Sequence, residues 1–224
     1  MHTSKLDNPA WYSLTETHHP FSAGFGNALF YQPAFCPFGG FMGEEEITNA
    51  MNKYAELVPD FFIIGAKPAY EGPLRLKKEL VCHQMVRENK IDLTIDKEIL
   101  KLNSGTTADL FNLVNAVQPG YFKNRTAELG SYYGIHINGE LAAVCGERMK
   151  MESYTEVSAV VTHPDHVRKG LAGMLVACTC NHIFEENRIP YLHVAETNWA
   201  AIQLYEKLGF KTRRKISFWN FAIY

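Results

Sequence analysis

The sequence predicts an α/β protein built on a mixed sheet with helices on its faces, and three observations carry that prediction. Asn138-Gly139 lies between two strand-like runs, the dipeptide that best tolerates the positive φ angles of a two-residue hairpin turn. A third strand-like run follows, completing a three-strand meander. Helical and strand periods then alternate, helix, strand, helix, before apolar closing strands, a pattern that needs helices packed against a sheet.

Taken in order, residues 1–95 form a smaller α/β portion and 96–224 the main domain. Glycine and proline crowd 20–43 and 65–73, which reads as irregular chain, interrupted by a helical apolar spacing at Ile47, Met51, Tyr54, Ala55 and Val58. Short strands are expected at 61–64 and 80–86. Regular patterning begins near Ile99. A helix at Thr107–Val117 places Leu110, Leu113, Val114 and Val117 on one face and stops at Pro119-Gly120. The hairpin strands are expected at 132–137 and 140–147, and the third strand at 154–162. Further on come a helix at 170–187, a strand at 191–195, a helix at 198–208, and closing strands at Phe210 and 216–221.

Composition narrows the partners. With 224 residues, 46% of them hydrophobic, the chain can bury one large core or two modest ones. Its 22 Lys and Arg stand against 24 Asp and Glu, so it lacks the positive field that draws a protein to nucleic acid or an anionic membrane. Small-molecule or peptide partners are expected, with no nucleic acid and no membrane. The opening residues lack an apolar run of signal-peptide length, and the longest uncharged apolar-rich stretch, 171–184, is too short to span a bilayer. The expectation is a cytoplasmic protein, monomer or homodimer. Cys36, Cys82, Cys145, Cys178 and Cys180 are scattered, and a helical Cys178-Thr179-Cys180 would point its thiols about 200° apart, so reduced thiols are expected and no metal site. His18, His19, His163 and His166 likewise lack a metal-ligand spacing.

The segment Val167, Arg168, Lys169, Gly170, Leu171, Ala172, Gly173 carries a strand end into a turn of small residues that opens a long helix. There, backbone N–H groups without helical partners and the positive end of the helix dipole converge, and a diphosphate could sit against them. Bulk at Gly170, Ala172 or Gly173 would hold an anion away from those donors, while Arg168 and Lys169 add positive charge. Further along, Asn198, Ala201, Ile202 and Tyr205 fall in one helical stripe, followed by Leu208-Gly209-Phe210.

These two segments together resemble the signatures of the GNAT superfamily of N-acetyltransferases. Val160 to Leu175 is similar to its acetyl-CoA-binding motif, Gln/Arg-x-x-Gly-x-Gly/Ala after a strand, departing where Val167 stands in the first position with the arginine one place later. Asn198 to Phe210 is similar to its Asn-x-x-Ala-x-x-Leu-Tyr and Leu-Gly-Phe pattern at every named position. The resemblance spans roughly 99–221 and suits a branch with an N-terminal extension, in which 1–95 is a worn second copy of the fold shaping the acceptor pocket. It implies the GNAT fold, a mixed and largely antiparallel sheet flanked by helices.

It also implies an activity: transfer of an acetyl or other acyl group from acyl-CoA, acetyl-CoA being the donor substrate, to a small amine, amino acid or peptide without a protein nucleophile. The strands before the two helices would splay apart, and the pantetheine arm would pair with the backbone of Val160, Val161 and Thr162. Asn198 and Tyr205 would complete the donor site. Tyr205 would stand beside the thioester sulfur as general acid, since an ordinary phenol stays protonated at neutral pH. Glu156, fourteen residues before Gly170, matches the general-base glutamate of some members, and strand alternation puts it on one face with Tyr154, Ser158, Val160 and Thr162. His193 and Glu196 are rival bases. A salt-bridged Glu156, a non-catalytic CoA-binding module and a longer acyl donor remain the alternatives.

Overall fold

The computed structural model of the chain describes residues 5–103, 105 and 107–223. A single eleven-stranded sheet runs through the described residues in the order β1-β2-β3-β4-β11-β5-β10-β9-β8-β7-β6. The strands are β1 Ser22–Phe25, β2 Ala28–Tyr31, β3 Phe38–Phe41, β4 Asp60–Ile64, β5 Leu74–Val86, β6 Leu100–Lys101, β7 Tyr132–Ile137, β8 Glu140–Lys150, β9 Tyr154–Thr162, β10 Ile189–Ala195 and β11 Lys211–Ile223. The helices are α1 Pro9–Thr15, α2 Ile47–Ala55, α3 Thr107–Val117, α4 Leu171–Glu185 and α5 Trp199–Lys207.

α3, α4, β10, α5 and the first and third strands of the meander lie within a residue or two of the sequence expectation, and the second, β8, runs three residues past the expected 147 to Lys150. At the hairpin, Asn138 and Gly139 both take positive φ, 54° and 86°, as the turn chemistry requires. Three expectations need correction, the first being the short strand at 80–86, which is the second half of β5, Leu74–Val86. The closing strands at Phe210 and 216–221 are one strand, β11, that starts at Lys211 and absorbs a bulge between Thr212 and Arg214. The supposedly irregular start holds α1 and three strands. In β3, glycines mark close approach: a Cβ on Gly39 would stand 2.3 Å from the Phe30 ring, and one on Gly40 would stand 2.8 Å from the backbone nitrogen of Trp11.

Residues 74–86 bind the two portions of the sequence into one sheet. β5 inserts between β10 and β11, antiparallel to both, pairing Cys82 with Ala195 and with Ile216. Side chains alternate along these strands accordingly. Leu192 and Met85 pack with Leu175, Ile183 and Ile202 of α4 and α5, whereas Tyr191 and Cys82 pack with Ala10 and Leu14 of α1. Helices α4 and α5 therefore cover one face. On the other face α1 lies over the centre, and α3 packs through Leu110, Leu113 and Val114 against Tyr132 and Val161.

Candidate active site

β9 and β10 run parallel, but their pairing is confined to three residue pairs, ending at Tyr191 opposite Glu156. Beyond that point the β10-facing edge of β9 has no ladder partner among the described residues, and the sheet opens as a wedge. A bulge widens it. Ala159 has φ 50°, and the β8–β9 register slips between Val144 and Gly146. The slip also flips alternation: Val157 packs in the α4 cluster, but Val161, four residues on, packs in the α3 cluster. The single polar face expected for Glu156, Ser158, Val160 and Thr162 is therefore broken at Ala159.

Through the wedge passes a cavity of about 330 Å³. Tyr205, Asn198 and Ala201 of α5 line it together with Val160, while Phe38, Tyr132, Arg148 and Glu156 line it from the α1/α3 face. Tyr205 is 7% exposed, its ring set edge-on to Phe210 at 5.9 Å, and burial pushes its phenol above the ordinary value. The Asn198 side chain accepts from Ala201 N at 3.2 Å, the N-cap that starts α5.

At the cavity wall Glu156 is fully engaged. Arg148 donates through Nε to Oε2 at 2.7 Å and through Nη2 to Oε1 at 2.8 Å, and His193 Nδ1 lies 2.8 Å from Oε1. Burial alone would raise this carboxyl, but the Arg148 charge, its two hydrogen bonds and the His193 contact outweigh it and hold the carboxyl at about 2. The His193 tautomer follows from its other neighbour. Arg213 donates to Gln84 Oε1 at 2.8 Å, and Gln84 Nε2 donates to Leu6 O at 2.7 Å, which fixes the amide. The second Nε2 hydrogen then points to His193 Nε2 at 3.0 Å, so the imidazole proton sits on Nδ1 and is donated to Glu156. A carboxylate with three donors and so low an affinity for protons is a poor general base. The base role expected of Glu156 does not fit this geometry, nor does one for His193, whose Nε2 is taken. Glu196 is turned outward onto Lys215 at 2.7 Å.

At the start of α4, Arg168 and Gly170 both take positive φ, 60° and 78°, which turns the chain sharply into the helix. Among the described residues no side chain caps this helix, and a Cβ on Gly170 would meet none of their atoms within 4 Å. Open space thus lies before the first-turn N–H groups, and the backbone there fits a diphosphate. The neighbouring residues divide. Val167, Arg168, Lys169 and Gly170 are exposed and Ala172 half-buried; Leu171 is buried in the core. Gly173 faces inward, where a Cβ would touch Leu204 of α5 at 3.6 Å, so it serves helix packing and not anion contact through its missing side chain. Lys169 Nζ folds back onto Asp165 O at 3.2 Å and His166 Nδ1 at 2.9 Å. Along β9, Val160 lines the cavity, Val161 is buried under α3, and Thr162 pairs with Ala143 of β8.

Sequence reasoning missed Arg148 and the aromatic wall of Phe38, Tyr121, Phe122, Tyr132 and Phe218. A signal for the first existed: an arginine and a glutamate stand near the facing ends of two consecutive strands, β8 and β9, that pair antiparallel, and their side chains meet at 2.7 and 2.8 Å. No local signal brings Phe38 and Phe218 together.

Comparison with known proteins agrees with the motifs. The profile of the FR47-like protein family matches residues 132–219. No curated protein matches the chain significantly. Among solved structures, a GNAT-family protein of Novosphingobium aromaticivorans assigned as an acetyltransferase is 28% identical over 99% of each chain, with a TM-score of 0.88. A GCN5-related N-acetyltransferase of Kribbella flavida is 13% identical, covers 99% of this chain and 96% of its own, and superposes with a TM-score of 0.66. A GCN5-related N-acetyltransferase-like protein of Streptococcus suis is 14% identical over 96% of each chain, with a TM-score of 0.65. The chain has the GNAT acetyltransferase fold, and the resemblance drawn from its two motifs holds across the sheet.

Proposed function

We propose that this GNAT-fold chain is an acyl-CoA-dependent N-acyltransferase that moves an acetyl group from acetyl-CoA directly to a primary amine. The observation that carries the reading is the wedge. Pairing between β9 and β10 stops at Glu156, and the cavity that fills the gap is bordered by Tyr205 on one side of the sheet and by Arg148 and Glu156 on the other.

In this reading the first-turn N–H groups of α4, behind Gly170, hold the donor's diphosphate, and the unpaired edge of β9 at Val160, Val161 and Thr162 holds its pantetheine arm. Tyr205, kept protonated by burial, gives its proton to the departing thiolate sulfur. Asn198 sets the start of α5 and with it the position of Tyr205 two turns on. Arg148 and His193 hold Glu156 as a fixed anion that orients the incoming amine, and the amine delivers its own proton to solvent. Proximity and orientation then supply most of the acceleration. The first 95 residues take part through Phe38, Leu80 and Cys82, which line the same cavity.

The test is release of free thiol from acetyl-CoA across a panel of amines. Amine-dependent release supports the reading. Tight acetyl-CoA binding with no release from any amine would leave a CoA-binding module without transferase activity, and preference for a longer acyl donor would change the donor and keep the class.

A further inference from the structure

We propose that the acceptor amine carries an aromatic ring and no second charge, an inference that rests on the acyl-transfer reading for its role as acceptor. Two features of the cavity point to it: an aromatic wall that the reaction itself does not use, and the balance of charge along the lining.

The first is the wall on the α1/α3 face. The rings of Phe38 and Tyr121 lie near-parallel, 18° between planes with centroids 6.1 Å apart, while Phe218 meets Phe38 edge-on at 5.9 Å. Beside them Phe122 and Tyr132 form another edge-on pair at 5.7 Å. All five border the cavity, so a guest there meets ring faces and edges on several sides. Such a lining favours a planar aromatic group, which can stack on one ring and meet another edge-on. Tyr121 is only half-buried, and exposed Gln118 stands beside it on the lining, which gives a ligand a route to the rings.

The second feature is charge. Among the described lining residues the only full charges are Arg148 and Glu156, and they cancel at 2.7 and 2.8 Å. Arg148 is further covered by Phe38, whose ring lies 4.6 Å from the guanidinium carbon. A polyamine or an amino sugar would bring extra ammonium groups with no unpaired carboxylate to receive them, and burying such a charge is strongly unfavourable. Thr126 offers little either, since its hydroxyl donates to Phe35 O and accepts from Lys123 N. The lining thus selects for one reacting amine and an apolar, ring-bearing body.

The experiment compares 2-phenylethylamine, n-butylamine and spermidine, first as ligands of the acetyl-CoA-saturated protein by calorimetry and then as acceptors by thiol release. The expected result is that 2-phenylethylamine binds at least about tenfold more tightly than either of the others, the advantage that burial of a ring against aromatic walls provides. In the Tyr121→Ala protein that preference should collapse toward parity. Parity among the three ligands in the unaltered protein, or tighter binding of spermidine, overturns the inference. Ring-selective binding without thiol release upholds the ligand class and overturns the acyl-transfer reading, so the two failures are told apart.

Discussion

Replacing Glu156 by Gln tests the electrostatic core of the site, because it removes a charge and keeps the shape. The carboxylate accepts two hydrogen bonds from Arg148 and one from His193 and is 1% exposed. The amide keeps one acceptor oxygen, presents an NH₂ group to a donor, and leaves the Arg148 charge without its counter-ion. Breaking one partner of a buried ion pair costs about 3–5 kcal/mol. The proton equilibrium gives a similar figure: a carboxyl held at about 2 against an ordinary 4.5 contributes about 3 kcal/mol at neutral pH. Because the folded-state value is depressed, this stabilisation is present above pH 4.5 and is lost as the pH falls toward 2. Urea unfolding followed by tryptophan fluorescence should therefore find Glu156→Gln about 3 kcal/mol less stable at pH 7, with about half that gap left at pH 3. A gap below about 1 kcal/mol at pH 7, or one that stays constant down to pH 3, would refute the ion-pair account.

Three further outcomes follow from the same geometry. Tyr205→Phe should lower the maximal rate of thiol release by about 10²-fold while acetyl-CoA affinity changes by less than about twofold, because in the proposed mechanism the phenol acts on the leaving group and not on binding; an unchanged rate with chemistry limiting would remove Tyr205 from the role. Gly170→Glu should weaken CoA binding by at least about tenfold, through charge opposed to the diphosphate and bulk before the α4 N–H groups, and calorimetry that returns full affinity would put the phosphates elsewhere. Asn198→Ala removes the cap of α5 and should cost about 1 kcal/mol in urea unfolding, with no loss expected only if α5 starts elsewhere.

Much of the second half of the chain was legible because its signals are local. Asn138-Gly139 demands a particular turn, the periodicity of α3 is helical over its whole length, and the two motif segments bring their own strand-to-helix turns. The first half was harder for a physical reason. In β3, Gly39 and Gly40 sit in a strand because Phe30 and the Trp11 backbone crowd them, yet in sequence they read as turn residues. The length of β5 was underestimated because its first half, 74–79, is mostly polar and charged, and pairing with β11 rather than burial keeps it extended. The site divides along the same line. Tyr205, Asn198 and the turn before α4 follow from contiguous motifs. The restraint on Glu156 depends on Arg148, His193 and Gln84 from three different strands, and the bulge at Ala159 defeats simple alternation along β9. Nothing in residues 35–41 alone announces that the Phe38 ring will cover the Arg148 guanidinium at the cavity wall.

The most direct measurement of the central claim is a calorimetric titration of the protein with acetyl-CoA, with CoA and NAD as comparisons, followed by addition of an amine to the loaded protein and detection of free thiol. The account predicts saturable binding of acetyl-CoA and CoA, none of NAD, and thiol release that depends on the amine. Absence of CoA binding would contradict the assignment of the α4 turn and the β9–β10 wedge as the donor site.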